Sequence, residues 1–296
     1  MTMIILDGKK VAEQIKTELK EKVDKLIAEN KKVPGLVTIM VGDNPASHSY
    51  VNSKSKSSTA IGMLSKVEKL PAETTEDELI ELVEKYNYDK NYHGILVQLP
   101  LPKHINEDRV IMAINPDKDV DGFHPISVGK LVIGQDTFLP CTPAGIQELF
   151  KRYNIETTGK HVVVVGRSNI VGKPITNIMF QKKQWANSIV TICHTAANDL
   201  SVYTKQADIL IAAIGQPNFI KADMVKDGVV VIDVGINRVE DANLPKGYRI
   251  VGDVDFENVA PKSSYITPVP GGVGLLTVAM LLSNTYKAYA MKEGIK

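Results

Sequence analysis

Two cysteines in 296 residues, Cys141 and Cys193, are too few and too far apart for a disulfide framework or a zinc motif. They read as buried thiols of a reducing compartment. Neither sign of charge dominates: 35 basic residues face 34 acidic ones, so composition gives no electrostatic case for nucleic acid or an anionic membrane as partner. No apolar run approaches the roughly 20 residues that span a bilayer. The opening Met-Thr-Met-Ile-Ile-Leu-Asp also lacks a basic segment leading into an apolar one, so the expected location is the cytoplasm. Internal repeats and low-complexity segments are missing too. With 44% hydrophobic and 23% charged residues the chain has the composition of a soluble globular protein, and its length suits two domains.

What is present is organised around the stretch His161-Val-Val-Val-Val-Gly-Arg-Ser-Asn-Ile-Val-Gly-Lys-Pro174. Val162 to Val165 suit a strand buried on both faces, Gly166 breaks the run, and Pro174 fits the first turn of a following helix. Such a helix start offers unpaired N–H groups and the positive dipole end, which favour phosphate. Five residues separate Gly166 from Gly172, so neither G-x-G-x-x-G nor the Walker pattern is met, and Pro174 follows Lys173 where a P-loop needs Ser or Thr. That sets an ATPase or GTPase aside and leaves a nucleotide site or a plain strand-to-helix turn.

Downstream, residues 188–193, 208–214, 229–233 and 249–251 are apolar runs separated by helix-length spacers. The succession predicts an α/β domain with a parallel sheet and ligands at the strands' carboxyl ends. The first of these runs, the second strand after Val162 to Val165, ends in Cys193-His194-Thr195, where an NAD-preferring domain carries Asp or Glu, and Arg167 follows the first glycine; both features favour NADP. A solvated surface arginine is the alternative for Arg167.

The first 120 or so residues alternate as well. Residues 4–6 read as a short strand. Val11, Ile15, Leu19, Val23, Leu26 and Ile27 recur at helical spacing. Strands are expected at 35–42, 66–70 and 94–100, with a polar helix over 46–61. Thr75-Glu-Asp-Glu78 is a capping box for a helix whose apolar side is Leu79, Ile80 and Val83. This predicts a small α/β domain without a phosphate-binding glycine turn, the substrate domain. The turn-rich residues 115–122 and Pro140-Cys-Thr-Pro143, with Thr142 as helix cap and Pro143 as first helical residue, predict a linker.

Tyr50 and Lys54 are four apart in the polar helix and share a face, with Ser47 one turn earlier. A half-buried lysine beside an aromatic ring can give and take a proton. The alternative is a solvated face, since Lys54 and Lys56 are set among Ser53, Ser55, Ser57 and Ser58. Tyr-x-x-x-Lys is also the catalytic pair of short-chain dehydrogenases, but there it follows the glycine turn within one domain, whereas Tyr50 stands far ahead of Gly166. Gln98 interrupts an apolar strand, and a buried amide must find partners: it ties down a loop or points from the strand end into a site. Asp119 and Asp121 frame Gly122. Such aspartates make turns, yet a carboxylate at a domain junction can grip an amino-heterocycle through paired hydrogen bonds. His194 reads as a strand-end cofactor contact or as a structural histidine.

Five separated motifs, in order along essentially the whole chain, resemble the bifunctional methylenetetrahydrofolate dehydrogenase/methenyltetrahydrofolate cyclohydrolase (FolD) family. They are Val41-Gly-Asp-Asn-Pro-Ala-Ser-His-Ser-Tyr-Val51 with Lys54, Gln98-Leu-Pro-Leu-Pro102, Lys118-Asp-Val-Asp-Gly122, Gly166-Arg-Ser-Asn-Ile-Val-Gly172 and Pro268-Val-Pro-Gly-Gly-Val-Gly274. The resemblance implies a homodimer of two α/β domains around a cleft, the C-terminal one a Rossmann-type parallel sheet. Residues 1–122 with 277–296 would form the folate and catalytic domain, and 140–270 the NADP domain. It implies that NADP takes a hydride from 5,10-methylenetetrahydrofolate and that water converts the methenyl cation to 10-formyltetrahydrofolate, in one-carbon metabolism and purine biosynthesis. Tetrahydrofolate derivatives are the implied partners, with no nucleic acid, membrane or metal.

On this resemblance Lys54 transfers protons, Tyr50 stacks on the aminobenzoyl ring, Gln98 hydrogen-bonds Lys54 and helps hold it neutral, and Asp121 anchors the pterin. Gly166, Arg167, Ser168, Thr142, His194, Thr195 and Ile232 belong to the nucleotide side. Gly271, Gly272 and Gly274 are implied where cofactor and folate meet. Two departures stand out. Gly274-Leu275-Leu276-Thr277 replaces the family's Gly-Pro-Met-Thr, which is expected to loosen that wall of the site. Thr195-Ala196-Ala197 replaces Ser and a basic residue, which weakens without reversing the NADP preference. The competing readings are a dehydrogenase without cyclohydrolase activity, a shikimate- or amino-acid-type dehydrogenase with its substrate domain first, and a non-catalytic binding protein. Tyr50, Lys54 and Gln98 together favour folate.

Overall fold

The computed structural model describes residues 3–242, 244 and 247–295. Residues 1, 2 and 296 of the expected substrate domain lie outside the described residues. The chain divides into two units, Met1–Ala12 with Thr142–Thr277 and Glu13–Cys141 with Val278–Lys296.

Strand β1 (Ile4–Ile5) and helix α1 (Gly8–Ala28) open the chain, and Val11, Ile15, Leu19, Val23 and Leu26 of α1 are buried, as their spacing requires. Ile27 is the exception and faces solvent. Next come β2 (Gly35–Val41), α2 (Pro45–Ala60), β3 (Leu64–Leu70), α3 (Glu76–Tyr88) and β4 (Gly94–Val97). The three strands form a parallel sheet in the order β3-β2-β4.

Side chains of this sheet part by alternation. Val37, Ile39, Val41, Ile95 and Val97 pack with Leu79, Val83 and Tyr86 of α3, while Leu36 and Leu96 pack on the other face with Val120, Phe138, Leu281 and Ala288. The capping box forms as expected: Glu78 N–H donates to Thr75 Oγ1, and Thr75 N–H donates to Glu78 Oε2 at 2.8 Å. The expected linker is instead largely folded. Its first stretch, residues 115–122, holds a 3-10 turn over Pro116–Lys118 capped by Asn115 and lies between α4 (Glu107–Ala113) and α5 (Pro125–Val132).

The chain then runs through α6 (Cys141–Arg152), β5 (His161–Val165), α7 (Gly172–Met179), β6 (Ile189–Cys193), α8 (Ser201–Thr204), β7 (Ile209–Ala212) and β8 (Val229–Asp233). It closes with β9 (Asn237–Glu240), β10 (Tyr248–Val251), α9 (Phe256–Val259), β11 (Ser263–Ile266) and α10 (Val273–Glu293). Six parallel strands in the order β1-β11-β8-β7-β5-β6 make one sheet, whose core includes Val163, Val165, Leu210, Ala212, Val229 and Val231.

Two expectations change. Residues 249–251 do not join the parallel sheet, because β10 pairs antiparallel with β9 in a separate ribbon. Their place is taken by β11, whose Ser-Ser-Tyr-Ile carries no apolar run. The opening strand, which sequence order groups with the substrate domain, pairs Ile4 with Tyr265 and Ile5 with Ile266 in the six-stranded sheet.

Candidate functional site

Helix α2 is rich in serine and lysine, yet it buries Ser47, Val51, Lys54 and Ser58. Steps of four, three and four put these on one helix face, so the inward face of α2 is mostly polar. Lys56, by contrast, is exposed. Lys54 is only 8% exposed, and its Nζ donates to Gln98 Oε1 at 2.9 Å. The solvated-face alternative therefore fails for Lys54. Gln98 is the first residue beyond β4; its N–H still donates to Ile39 O at 2.8 Å, and its Nε2 donates to Leu99 O at 2.6 Å. The Leu99–Pro100 peptide that follows is cis. Tyr50, one turn before Lys54, is 45% exposed and leaves part of its ring available to a flat ligand.

Asp119 and Asp121 take different roles. The buried Asp119 accepts from Phe123 N–H, His124 N–H and Ser127 Oγ at 3.2, 2.9 and 2.7 Å, so it builds the turn. Burial pushes its carboxyl up to about 6 against those bonds. Asp121 Oδ1 instead accepts from the Cys141 thiol at 3.5 Å. Burial raises the Asp121 carboxyl above its ordinary range, opposed by the charge of Lys54 and by the Cys141 bond. At Gly122 φ is +73°, and a Cβ would stand 2.7 Å from Phe138 O, so glycine lets residues 138–140 lie directly against the turn.

Lys54 and Gln98 thus touch, and Asp121 lies within electrostatic reach of Lys54. Cys141 was not among the expected site residues. Burial, then the charge of Asp121, hold its thiol well above the ordinary range, so it serves as an S–H donor.

In the other unit, Gly166 and Gly172 are needed by the backbone. Gly166 has φ +130°, and a Cβ there would lie 2.1 Å from Ala213 O; a Cβ on Gly172 would lie 2.2 Å from Gly166 O. The spacing that fits no standard pattern is thereby explained as a turn closed on itself and on the end of β7. Ser168 Oγ accepts from Val171 and Gly172 N–H at 3.1 and 3.3 Å and so holds the loop closed ahead of α7, whose N-cap, Val171, makes no side-chain cap. Val165 pairs with Cys193, and Gly166 N–H donates to Cys193 O at 2.8 Å, so the exposed Arg167 and Thr195 follow adjacent strand ends. A guanidinium and a hydroxyl in that position, with no carboxylate ending β6, are a donor set that fits the extra phosphate of NADP.

The remaining expected residues are less alike. His194 Nδ1 accepts from Ala196 N–H at 3.3 Å. Thr142 is inside the first turn of α6 rather than its cap, because the helix already begins at Cys141; its Oγ1 hydrogen-bonds Thr277 Oγ1 at 2.9 Å. Ile232 is fully buried within β8. Gly271 has φ +108°, and a Cβ there would make only an ordinary contact with Pro268 Cγ at 3.8 Å, whereas a Cβ on Gly272 would meet Pro268 O at 2.4 Å and one on Gly274 would meet Ile236 Cδ1 at 3.0 Å. Leu276 is fully buried against Gly145, and Leu275 already belongs to α10, so this departure fills a helix start.

Sequence reasoning passed over two buried aspartates. Asp233 accepts from Gly235, Asp253 and Val254 N–H, each at 2.9 Å, and burial pushes its carboxyl up to about 7 against those bonds. Asp253 accepts from Ile214, Gly215 and Gln216 N–H and from Asn237 Nδ2. Together they tie down the carboxyl ends of β7 and β8, where α/β sheets bind ligands. Position alone in the runs Val-Ile-Asp-Val-Gly and Gly-Asp-Val-Asp gave no sign of it. Among the described residues no group of His, Cys, Asp or Glu is arranged to hold a metal ion, and no helix is long and apolar enough to cross a membrane.

Comparison with known proteins accounts for both units. A protein-family model described as tetrahydrofolate dehydrogenase/cyclohydrolase, catalytic domain, matches residues 6–121, and the NAD(P)-binding domain of the same description matches 140–293. The bifunctional protein FolD of Chloroherpeton thalassium is 59% identical over 97% of this chain and 98% of its own length. Among solved structures, the bifunctional FolD methylenetetrahydrofolate dehydrogenase/cyclohydrolase of Campylobacter jejuni is 50% identical, with a TM-score of 0.92 over 98% of this chain and 100% of its own. The Trypanosoma brucei methylenetetrahydrofolate dehydrogenase-cyclohydrolase, solved with NADP and an inhibitor, is 38% identical, with a TM-score of 0.92 over 99% of each chain. This chain belongs to the tetrahydrofolate dehydrogenase/cyclohydrolase family.

Proposed function

We propose that the chain is a bifunctional enzyme of one-carbon metabolism, an NADP-dependent 5,10-methylenetetrahydrofolate dehydrogenase and 5,10-methenyltetrahydrofolate cyclohydrolase. The observation that carries this reading, in a chain of this family, is Lys54: buried at 8% exposure, with its Nζ donating to Gln98 Oε1 at 2.9 Å. Lysine is seldom buried, and one fixed by a neutral amide is suited to proton transfer.

When bound, NADP supplies the acceptor for the hydride that leaves the bridging methylene carbon. Arg167 and Thr195 would hold its phosphate by charge-assisted hydrogen bonds, with Gly166 and Ser168 in the turn beside them. On the substrate side, Asp121 grips the amino-pyrimidine edge of the pterin, and Tyr50 offers its ring face to the aminobenzoyl group. Water then adds to the methenyl carbon. As the C–O bond forms, Lys54 Nζ takes the proton that water loses, and the same nitrogen delivers a proton to N5 as the C–N5 bond opens. One water is consumed and one proton leaves to solvent, giving 10-formyltetrahydrofolate, a donor for formyl-transfer steps such as those of purine biosynthesis. Hydride transfer depends on positioning and hydration on proton transfer, so the two reactions call on different groups.

The working form is a cytoplasmic homodimer in this reading. The outer edge of β6, with Ile189 and Ile192 exposed, supports association, and two free, buried thiols suit a reducing compartment. Sedimentation equilibrium tests the dimer. The activities are tested by a spectrophotometric time course with methylenetetrahydrofolate and NADP, reading reduced cofactor and methenyl intermediate separately, with NAD in parallel. Reduced cofactor with little methenyl accumulation is expected. Methenyl that accumulates and disappears only at the pace of uncatalysed hydrolysis would leave a dehydrogenase alone, and no turnover with either cofactor would overturn the reading.

A further inference from the structure

Asn284 is 7% exposed on α10, next to the fully buried Leu281, Leu282 and Thr285. A buried amide must be satisfied, and this one is satisfied far away in sequence. Its Nδ2 donates to Val120 O at 2.8 Å and to Leu139 O at 2.9 Å, and stands 3.9 Å from Cys141 Sγ. Val120 immediately precedes Asp121. Leu139 lies two residues before Cys141, whose thiol donates to Asp121 Oδ1.

Two glycines bring these segments together. Without a Cβ, Gly122 lets Phe138 O approach to 2.7 Å of the vacant Cβ position. Gly94 similarly admits Val120 Cγ1 at 2.7 Å and Thr285 Oγ1 at 3.3 Å. The peptide that carries Asp121 is therefore enclosed by β4, by residues 138–140 and by α10, and Asn284 is the side chain that bonds the last two to it. Asp119 fixes the far side of the same turn through three hydrogen bonds.

We infer that Asn284 is a positioning residue for the folate reaction: its amide clamps Val120 and Leu139 so that Asp121, with the Cys141 thiol that donates to it, meets the pterin in one fixed orientation. The inference rests on Asp121 being the pterin's anchor. Paired hydrogen bonds from an amino-heterocycle need the carboxylate coplanar with the ring edge, and they weaken steeply as that angle opens. Removing the Asn284 amide takes the donor from Leu139 O, leaves Val120 O only the Cys141 thiol at 3.5 Å, which Asp121 Oδ1 shares, and frees the turn to rotate.

The test is calorimetric titration of tetrahydrofolate, at saturating NADP, into wild type, Asn284→Ala, Asp121→Asn and the double variant. Asn284→Ala should bind tetrahydrofolate ~10-fold more weakly, the worth of about one hydrogen bond, with NADP affinity held within ~2-fold. In the Asp121→Asn background the second substitution should weaken binding no further, as expected for residues acting through one contact. Asn284→Leu, of similar volume and without donors, gives the same readout should alanine leave the chain unfolded. Wild-type tetrahydrofolate affinity in a folded Asn284 variant, or losses that multiply in the double variant, would overturn the positioning role while Asp121→Asn remains weak. Asp121→Asn binding as tightly as wild type would remove the anchor itself, and the inference with it.

Discussion

Replacing Gln98 with leucine should separate the two activities. Leucine keeps much of the side-chain bulk and removes the acceptor that lies 2.9 Å from Lys54 Nζ, in a place where Lys54 is 8% exposed and water cannot readily take over. A hydrogen bond to a charged group, here the ammonium that forms as Lys54 Nζ takes the proton from water, contributes ~1.5–3 kcal/mol. At ~1.4 kcal/mol per factor of ten, losing that restraint on Nζ should slow methenyl hydrolysis ~10- to 100-fold. Gln98 also anchors Leu99 O through its own Nε2, so a small loss in substrate affinity accompanies the change. Hydride transfer, which asks for alignment of two carbons rather than for a proton, should fall less than ~10-fold. The assay follows loss of methenyl absorbance and formation of reduced cofactor on the same preparation, with circular dichroism as the check on folding. Methenyl should accumulate in the coupled reaction. A folded Gln98→Leu enzyme that hydrolyses methenyl at the wild-type rate, or that loses both activities equally, would refute the reasoning.

The other predictions concern stability and the nucleotide side. His93 is 4% exposed, its Nδ1 accepts the Gly35 N–H at 3.0 Å, and burial holds its imidazole down at about 4. The folded state therefore prefers the neutral ring. This stability is present above the ordinary value of about 6.5 and is lost as pH falls from there through 4, to a limit of ~3 kcal/mol. Urea denaturation of wild type and His93→Asn at pH 7 and 4.5 should show the steeper acid loss in wild type, and parallel losses would contradict it. Gly166→Ala should destabilise by ~3 kcal/mol or more, since the new Cβ meets Ala213 O in a backbone region that suits glycine. A normal melting temperature and NADP KM would show that the turn tolerates a side chain. Arg167→Ala should raise the KM for NADP ~10-fold or more and that for NAD far less; equal effects would mean that Arg167 does not read the extra phosphate.

Local signals made much of the fold legible. The run of valines at 162–165, the spacing of Val11 to Leu26 and the Thr75–Glu78 capping box each depend on neighbours within a few residues, and each forms. Strand β11 was hidden because Ser263-Ser264-Tyr265-Ile266 has no apolar run and is a strand through pairing with β1 and β8. Residues 249–251 look like any buried strand, and only their antiparallel partner β9 removes them from the parallel sheet.

The site was legible to different depths. Helical spacing puts Tyr50 and Lys54 on one side, but α2 has no hydrophobic period, so nothing in its residues says that the face with Lys54 turns inward. The five-residue gap between Gly166 and Gly172 was visible as an oddity; its cause, the approach of Ala213 and of Gly166's own carbonyl, is tertiary. Cys141, Asp121 and Asn284 meet from three distant segments, as do Asp233 and Asp253 with the loops they hold.

We propose that Lys54 carries the proton transfers of methenyl hydrolysis. The most direct measurement is the rate of methenyl hydrolysis by Lys54→Met, which keeps the length of the buried side chain and removes the amine. A folded variant is predicted to lose that activity by ~100-fold or more, the range of general acid–base catalysis. Undiminished conversion of the methenyl compound by folded Lys54→Met would contradict the account.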